Sequence, residues 1–209
     1  MGTLDIAGGA AGRVVCASKE AGPDGAGALA GIGDEALMTR YRNGEADAFE
    51  TLYRRHGAPL YRFIGRLTRR RADADEVFQE VWFALIRGRE RYEPTARFVT
   101  FLFAIAHRRV ADRARRALRG MPEIAEAADD IPAEDLDPHA AFQNAQLGAA
   151  LVHAIGALPL PQREAFLLQA EAGLSLDEIA QVTDVPRETV KSRLRYANGR
   201  LRIALKAWK

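Results

Sequence analysis

The stretch Gly173-GLSLDEIAQVTDVPRETVKSRLRYANGRLRIAL-Leu205 decides the fold. Ser175 opens a helix with Glu178 three residues on, the spacing at which two side chains satisfy two orphan backbone donors reciprocally. Leu176, Ile179, Ala180 and Val182 give that short helix one apolar face. The sequence breaks at Thr183-Asp184, and Pro186 suits the first turn of a second helix. The turn usually wants glycine, and Asp184 tolerates positive φ less readily. In the second helix Val190, Leu194, Ala197, Leu201 and Leu205 recur at steps of three and four. Arg187, Lys191, Arg193, Arg195, Arg200 and Arg202 occupy the other face. Two helices joined by a tight turn, the second basic, form a helix-turn-helix able to place a recognition helix in a major groove.

Outward from this stretch the chain reads as helix throughout. Its 209 residues, 48% hydrophobic and 28% charged with a net charge of +2, suit two small soluble domains. One cysteine, Cys16, excludes an intramolecular disulfide framework and suits a reducing compartment; in this position it reads as a bystander thiol. No apolar run approaches a membrane span and no secretory signal is recognisable, so the expectation is a cytoplasmic protein with no membrane insertion. Residues 1–33 are Gly- and Ala-rich without a sustained period and read as a disordered tail. Residues 34–119 read as the first helical domain, 120–140 as a flexible acidic linker, and 141–207 as the second domain. The linker carries Glu123, Glu126, Asp129, Asp130, Glu134, Asp135 and Asp137 with Pro122, Pro132 and Pro138, and no basic residue from 121 to 138. The expected fold is all-α.

Within the first domain, Asp34 opens a short helix. A second has its core face at Ala48, Phe49, Leu52 and Tyr53 and is expected to stop at Gly57; a third carries Leu60, Tyr61, Ile64 and Leu67. A fourth begins near Asp73, with Val77, Phe78, Val81, Trp82 and Leu85 inward and Asp75, Glu76, Gln79 and Glu80 as a compact acidic outer face. The fifth runs from about Ala96 to Arg119. Its first half, with Phe98, Val99, Phe101, Leu102, Phe103, Ile105 and Ala106, is apolar on nearly every side, and its second half is rich in arginine. A helix apolar all round is buried or has a partner for its outer face. Aromatics beside arginines also suit single-stranded nucleic acid, where bases stack on rings and cations follow phosphates. Composition alone leaves both readings open. In the second domain Leu147, Leu151 and Ile155 lead through Leu158-Pro-Leu-Pro161 into the helix-turn-helix.

An acidic DADEVFQEVW segment, an aromatic-basic FVTFLFAIAHRRVADRARR segment, a linker, and LPLPQREAFLLQAEAGLSLDEIAQVTDVPRETVKSRLRYANGRLR follow in that order. This order resembles the extracytoplasmic-function group of bacterial RNA polymerase sigma factors, over about Asp34 to Leu205. The resemblance implies that Asp75, Glu76, Gln79 and Glu80 dock on core RNA polymerase, carboxylates and an amide suiting a partner that presents arginines. It implies that Tyr92, Glu93, Thr95 and Arg97 lie in a loop capturing a flipped-out base. Phe98, Phe101, His107, Arg108 and Arg109 would then fall in the helix that reads the melted minus-ten promoter element. This chain has Phe101 where the family often has tryptophan, and Arg108 where it often has asparagine. Arg187, Glu188 and Thr189 would reach minus-thirty-five base edges, and Lys191, Ser192, Arg193 and Arg195 phosphates or deeper base contacts. The implied partners are core polymerase, promoter DNA as duplex and as melted single strand, and an anti-sigma factor.

An enzyme is disfavoured. The sequence has no glycine-rich phosphate loop, no nucleophile elbow and no Cys/His cluster at metal spacing, and His56, His107, His139 and His153 are scattered; no cofactor and no metal is expected. The alternative is a free-standing regulator binding duplex DNA through residues 160–205. Such a protein has no need of an acidic docking helix followed by an aromatic-basic one.

Overall fold

The computed structural model describes residues 29, 31–119 and 138–206, with side chains described for 29, 31–117 and 146–206 of these. The proposed tail up to residue 28, Cys16 and the acidic segment 120–137 lie outside the described residues. Among the described residues eight α-helices follow in order: α1 Asp34–Arg42, α2 Ala46–Gly65, α3 Arg71–Gly88, α4 Phe98–Arg119, α5 Pro138–Gly156, α6 Leu160–Ala172, α7 Leu176–Thr183 and α8 Arg187–Ala204. A single 3-10 turn, Arg89–Arg91, follows α3. Among the described residues there is no strand, and no helix is long and apolar enough to cross a membrane. The all-α expectation holds. Helix α5 starts at Pro138, a few residues inside the stretch read as linker.

The first four helices pack around Leu37, Met38, Leu52, Leu60, Phe63, Ile64, Val77, Val81, Leu85, Phe98, Leu102 and Phe103, all at most 1% exposed. The sequence expectation of two helices on either side of Gly57 is corrected. Residues 46–65 form one helix that passes through Gly57 and Pro59. An internal proline costs ~3 kcal/mol and an internal glycine ~1 kcal/mol. Ala48, Thr51, Leu52, Leu60, Phe63 and Ile64 lie on one continuous buried face. Burying Leu60, Phe63 and Ile64 contributes about 1.5–3 kcal/mol each, so packing outweighs the local breakers. Tyr53, expected in the core, is 44% exposed. Its ring instead edges an aromatic cluster with Phe49, Phe78 and Trp82.

Charge ties fix the helix ends. Asp34 at the start of α1 accepts hydrogen bonds from Arg55 (2.6 Å) and pairs with His56 (2.8 Å). The Glu35 carboxylate accepts from the Phe98 N–H at 2.8 Å, so α1 supplies the partner for the first turn of α4. A carboxylate at a helix N-terminus also faces the positive end of the dipole.

The last four helices build a second core from Ile155, Leu158, Ala165, Leu167, Leu168, Leu174, Ile179, Val190 and Ala197. Leu147 of the same helical pattern is 39% exposed. Helix α6 ends at Gly173 in the left-handed region (φ 60°), with Gly173 N–H bonded to the Gln169 carbonyl. The second unit is not separate from the first: α6 lies against α2 and α4, and α7 against α4.

Candidate nucleic-acid and protein interfaces

On α3, a 3.6-residue period turns Ala74, Val77, Val81, Trp82 and Leu85 inward. Asp75, Glu76 and Gln79 are consequently exposed and Glu80 half-buried, so the structure brings these four to one face. The face is not bare. Tyr61 donates to Asp75 at 2.7 Å, and Arg113 of α4 donates to Glu76 at 2.5 Å and also to Asp73. Arg109 stands 3.8 Å from Glu80. Burial pulls the Asp73 carboxyl upward, but hydrogen bonds from Arg70 and Arg113 outweigh it and hold the group below the ordinary range. The Asp73 bond, ahead of other causes, raises Arg113. Exposed pairs of this kind contribute about 0–1 kcal/mol, so a partner's arginines can exchange for them at small cost.

The second surface follows α3. Tyr92 is 4% exposed, its ring against Phe98 and Phe101 (centroids 6.4 and 5.5 Å apart). Burial, with Glu35 and Asp34 nearby, pushes the Tyr92 hydroxyl up to about 12, and that buried hydroxyl has no hydrogen-bond partner. Tyr92, Glu93, Thr95, Thr100, Phe101 and Arg108 line a cavity of about 190 Å³, closed on one side by Gln181 and Val182 of α7. Phe98 does not reach it: the side chain is fully buried, with its ring 5.4 Å from that of His56. Its place is the core. Arg97 lies over α7, its guanidinium 3.3 Å from Glu178. His107 is half-buried, 3.8 Å from Glu164 of α6. Arg108 is exposed beside the cavity and Arg109 turns to Glu80.

The third surface is the helix-turn-helix. The capping box forms as the sequence predicts: Ser175 N–H donates to Glu178 (2.8 Å), and Glu178 N–H donates to the Ser175 hydroxyl (3.3 Å). The reservation about Asp184 is corrected, since it takes the left-handed conformation (φ 53°, ψ 47°) while Val185 N–H bonds the Ala180 carbonyl at 3.2 Å. A short polar side chain makes Asp one of the few non-glycine residues to visit this region. Val190, Leu194, Ala197 and Leu201 are buried, which turns Arg187, Glu188, Lys191 and Arg195 to solvent and leaves Thr189, Ser192 and Arg193 half-buried. Arg187 pairs with Asp177 at 3.0 Å and Lys191 with Glu188 at 3.6 Å. Ser192 donates to the Thr189 carbonyl of its own helix at 2.8 Å. Arg195 lies over the ring of Tyr196, 5.1 Å from its centroid, and Tyr196 is 55% exposed.

Five participants escaped the sequence reading: Arg62, Arg66, Thr100, Arg113 and Glu171. Arg113 neutralises the acidic face. Thr100 donates to Glu178 at 2.6 Å, and Arg62 donates to Glu171, the latter also held by Arg66. Thr100 stands as a lone hydroxyl in an apolar run, a legible signal. The others are ordinary surface charges in a linear reading. Among the described residues no group of His, Cys, Asp or Glu could hold a metal ion.

Comparison with known proteins fits this geometry. Residues 52–120 match the family model for sigma-70 region 2, and residues 148–197 that for sigma-70 region 4. The chain is 32% identical over 181 residues to the ECF RNA polymerase sigma factor SigE of Mycolicibacterium smegmatis, covering 86% of this chain and 67% of that protein. It is 32% identical over 166 residues to the RNA polymerase sigma factor CarQ of Myxococcus xanthus, covering 79% and 93%. The structure of CnrH in complex with the cytosolic domain of CnrY superposes with a TM-score of 0.58 at 26% identity, covering 83% of this chain and 97% of that one. The sigma factor RpoE in complex with the anti-sigma factor NepR from Bartonella quintana shares the fold (TM-score 0.61, 21% identity, 76% and 96% covered). A free-standing regulator and an enzyme are both set aside by this family. The chain belongs to the ECF RNA polymerase sigma factors, and it directs promoter-specific transcription initiation through RNA polymerase.

Proposed function

We propose that the three surfaces divide the work of initiation. The first domain, residues 34–119, docks on core RNA polymerase through Asp75, Glu76, Gln79 and Glu80. Arginines of the polymerase replace Arg113 and Arg109 as partners of Glu76 and Glu80. The same domain holds the melted minus-ten strand. Tyr92, Thr95, Phe101 and Arg108 line the cavity, Arg97 stands beside it against α7, and a base leaving its stack costs a few kcal/mol that such a pocket repays. His107 and Arg109 extend this face along α4, with Arg109 suited to a phosphate once Glu80 is engaged elsewhere. Phe98 acts by positioning the first turn of α4 from within the core.

The second domain, residues 141–207, reads the minus-thirty-five duplex. At the N-terminus of α8, Arg187 and Glu188 have the chemistry to contact guanine and cytosine edges respectively, with Thr189 beside them. Lys191, Ser192, Arg193 and Arg195 serve phosphates and deeper contacts. The segment 120–140 lets the domains span the promoter. The complexes of CnrH with the cytosolic domain of CnrY and of RpoE with the anti-sigma factor NepR support an anti-sigma factor as a further partner, and we assign the protein to the cytoplasm on its sigma-factor role.

The observation that carries this reading is the order on one chain of an acidic helix face, a cavity beside an aromatic-basic helix, and an open basic recognition helix. It is tested by binding holoenzyme to selected promoters. Lys191→Ala/Arg195→Ala is expected to weaken binding to the minus-thirty-five duplex. Thr95→Ala/Arg108→Ala is expected to weaken binding only to forked DNA with an unpaired minus-ten strand. If both pairs lower affinity for both DNAs equally, the division of labour is wrong.

A further inference from the structure

Helix α4 is apolar on nearly every side in its first half, and the structure shows what covers its outer face. That cover is the protein's own second domain. Thr100 is 3% exposed because α7 lies over it, and its hydroxyl donates to the Glu178 carboxylate at 2.6 Å. Arg97 approaches the same carboxylate at 3.3 Å and the Gly173 carbonyl at 3.4 Å. On the far side of the contact, Glu171 is 8% exposed and is held by Arg62 (2.9 Å) and Arg66 of α2. His107 and Glu164 face each other across the same seam at 3.8 Å. Gln181 and Val182 wall off the cavity at Tyr92 and Arg108.

We infer that the free protein is closed, its second domain occupying the face by which the first domain meets DNA, with the carboxylates of Glu171 and Glu178 standing where an anionic strand would bind. The inference rests on the promoter-reading role of α4 given above. The chemistry of the contact favours this occupant over chance packing. Along the seam Glu164, Glu171 and Glu178 of the second domain each face a cation or hydroxyl of the first, and Arg163 adds a donation to the Arg66 carbonyl. Two guanidiniums converging on one carboxylate are the arrangement that also binds a phosphate. The closed form is incompatible with use of Thr100 and Arg97 by DNA, because the Glu178 carboxylate takes both. Opening therefore precedes promoter engagement, and the closed form holds promoter-binding groups out of reach. Glu178 has a second duty that makes the device compact: it also forms the capping box of α7, so the latch is held at the first turn of the helix-turn-helix. Desolvation works against its ionisation, but Thr100, Ser175 and Arg97 together hold its carboxyl down at about 2, so the latch is charged under all physiological conditions.

The test uses the full chain with Cys16→Ser and dyes on Ala58→Cys of α2 and Asn198→Cys of α8, both exposed positions away from the seam. Single-molecule energy transfer reads the distance between the domains. Wild type at low salt is expected in one high-transfer population that gives way to low transfer as salt screens the pairs. Glu171→Gln/Glu178→Gln is expected to raise the open-to-closed ratio at low salt about tenfold or more, the size of a charged hydrogen bond lost at each contact. Glutamine at 178 keeps the capping box, so an unchanged far-ultraviolet helix signal at the working temperature separates opening from unfolding, while the melting temperature falls with the lost charge. Arg66→Glu opens the protein likewise, and pairing it with Glu171→Arg recloses it. A low-transfer wild type, or a variant that stays closed, overturns the inference. Adding a single-stranded minus-ten oligonucleotide is expected to open the wild type. If charge removal opens the protein but DNA never does, the latch stands and the promoter-reading role of this face falls.

Discussion

Helices α4 and α8 are both basic and both assigned to DNA, yet they hold their charges in opposite ways. Helix α8 buries one stripe, Val190, Leu194, Ala197 and Leu201, and leaves the opposite face open. Helix α4 buries Phe98, Val99, Leu102, Phe103 and Ala106 against its own domain, then has its outer side covered by α6 and α7. Two of its arginines are engaged as well: Arg109 faces Glu80, and Arg113 bridges Asp73 and Glu76. The difference teaches how each helix is controlled. A recognition helix with one apolar stripe is ready for duplex as it stands. A helix apolar all round is functional only after something leaves it, and Arg109 and Arg113 are held by α3 until a competing partner arrives.

The comparison breaks first at the core. Phe98→Ala is expected to cost about 3–5 kcal/mol in urea unfolding, as for other buried phenylalanines. A loss below ~1 kcal/mol would mean that α4 is a surface helix like α8. Next comes charge on the open helix. Arg195→Ala is expected to leave stability within about 0.5 kcal/mol. In holoenzyme binding to duplex the same change is expected to weaken affinity and, if Arg195 meets a phosphate, to lower the salt slope by roughly 0.9. A stability loss without a change in binding would make Arg195 a structural residue. Smaller still is the cap: Ser175→Ala is expected to cost about 1 kcal/mol by loss of the α7 N-terminal bond.

The acid side of the pH profile sharpens the same contrast. Glu178 titrates at about 2 in the folded protein against an ordinary 4.5. A depressed carboxylate stabilises the fold above its unfolded value, so this contribution is complete above about pH 4.5 and is lost as pH falls toward 2. In Glu178→Gln the decline of melting temperature over that window is expected to be shallower. An identical decline would show that Glu178 makes no charged contact in the folded state.

Local chemistry was legible in the sequence; competition between distant groups was not. The capping box of Ser175 and Glu178, the seam of α8 and the acidic face of α3 follow from spacings of three and four residues, and all three are present. Gly57 misled because its cost is local, whereas the burial that outweighs it, and that of Pro59 beside it, comes from α1, α3 and α4. Asp184 misled because its short side chain tolerates a conformation that sequence assigns to glycine. The all-round apolar half of α4 announced a missing partner without naming it. The partner is visible only when Glu171 and Glu178 are seen 105 and 78 residues from Arg66 and Thr100 in the chain, yet within hydrogen-bond reach.

The most direct measurement is run-off transcription with core RNA polymerase on promoters selected from a genomic library, comparing wild type with Asp75→Arg/Glu80→Arg. The account predicts specific initiation by wild type and none by the reversed variant, with its melting curve retained. Its helix-turn-helix should still bind promoter duplex. A variant that still directs initiation as wild type does would contradict the docking face, and a wild type that binds duplex but never redirects the polymerase would contradict the whole account.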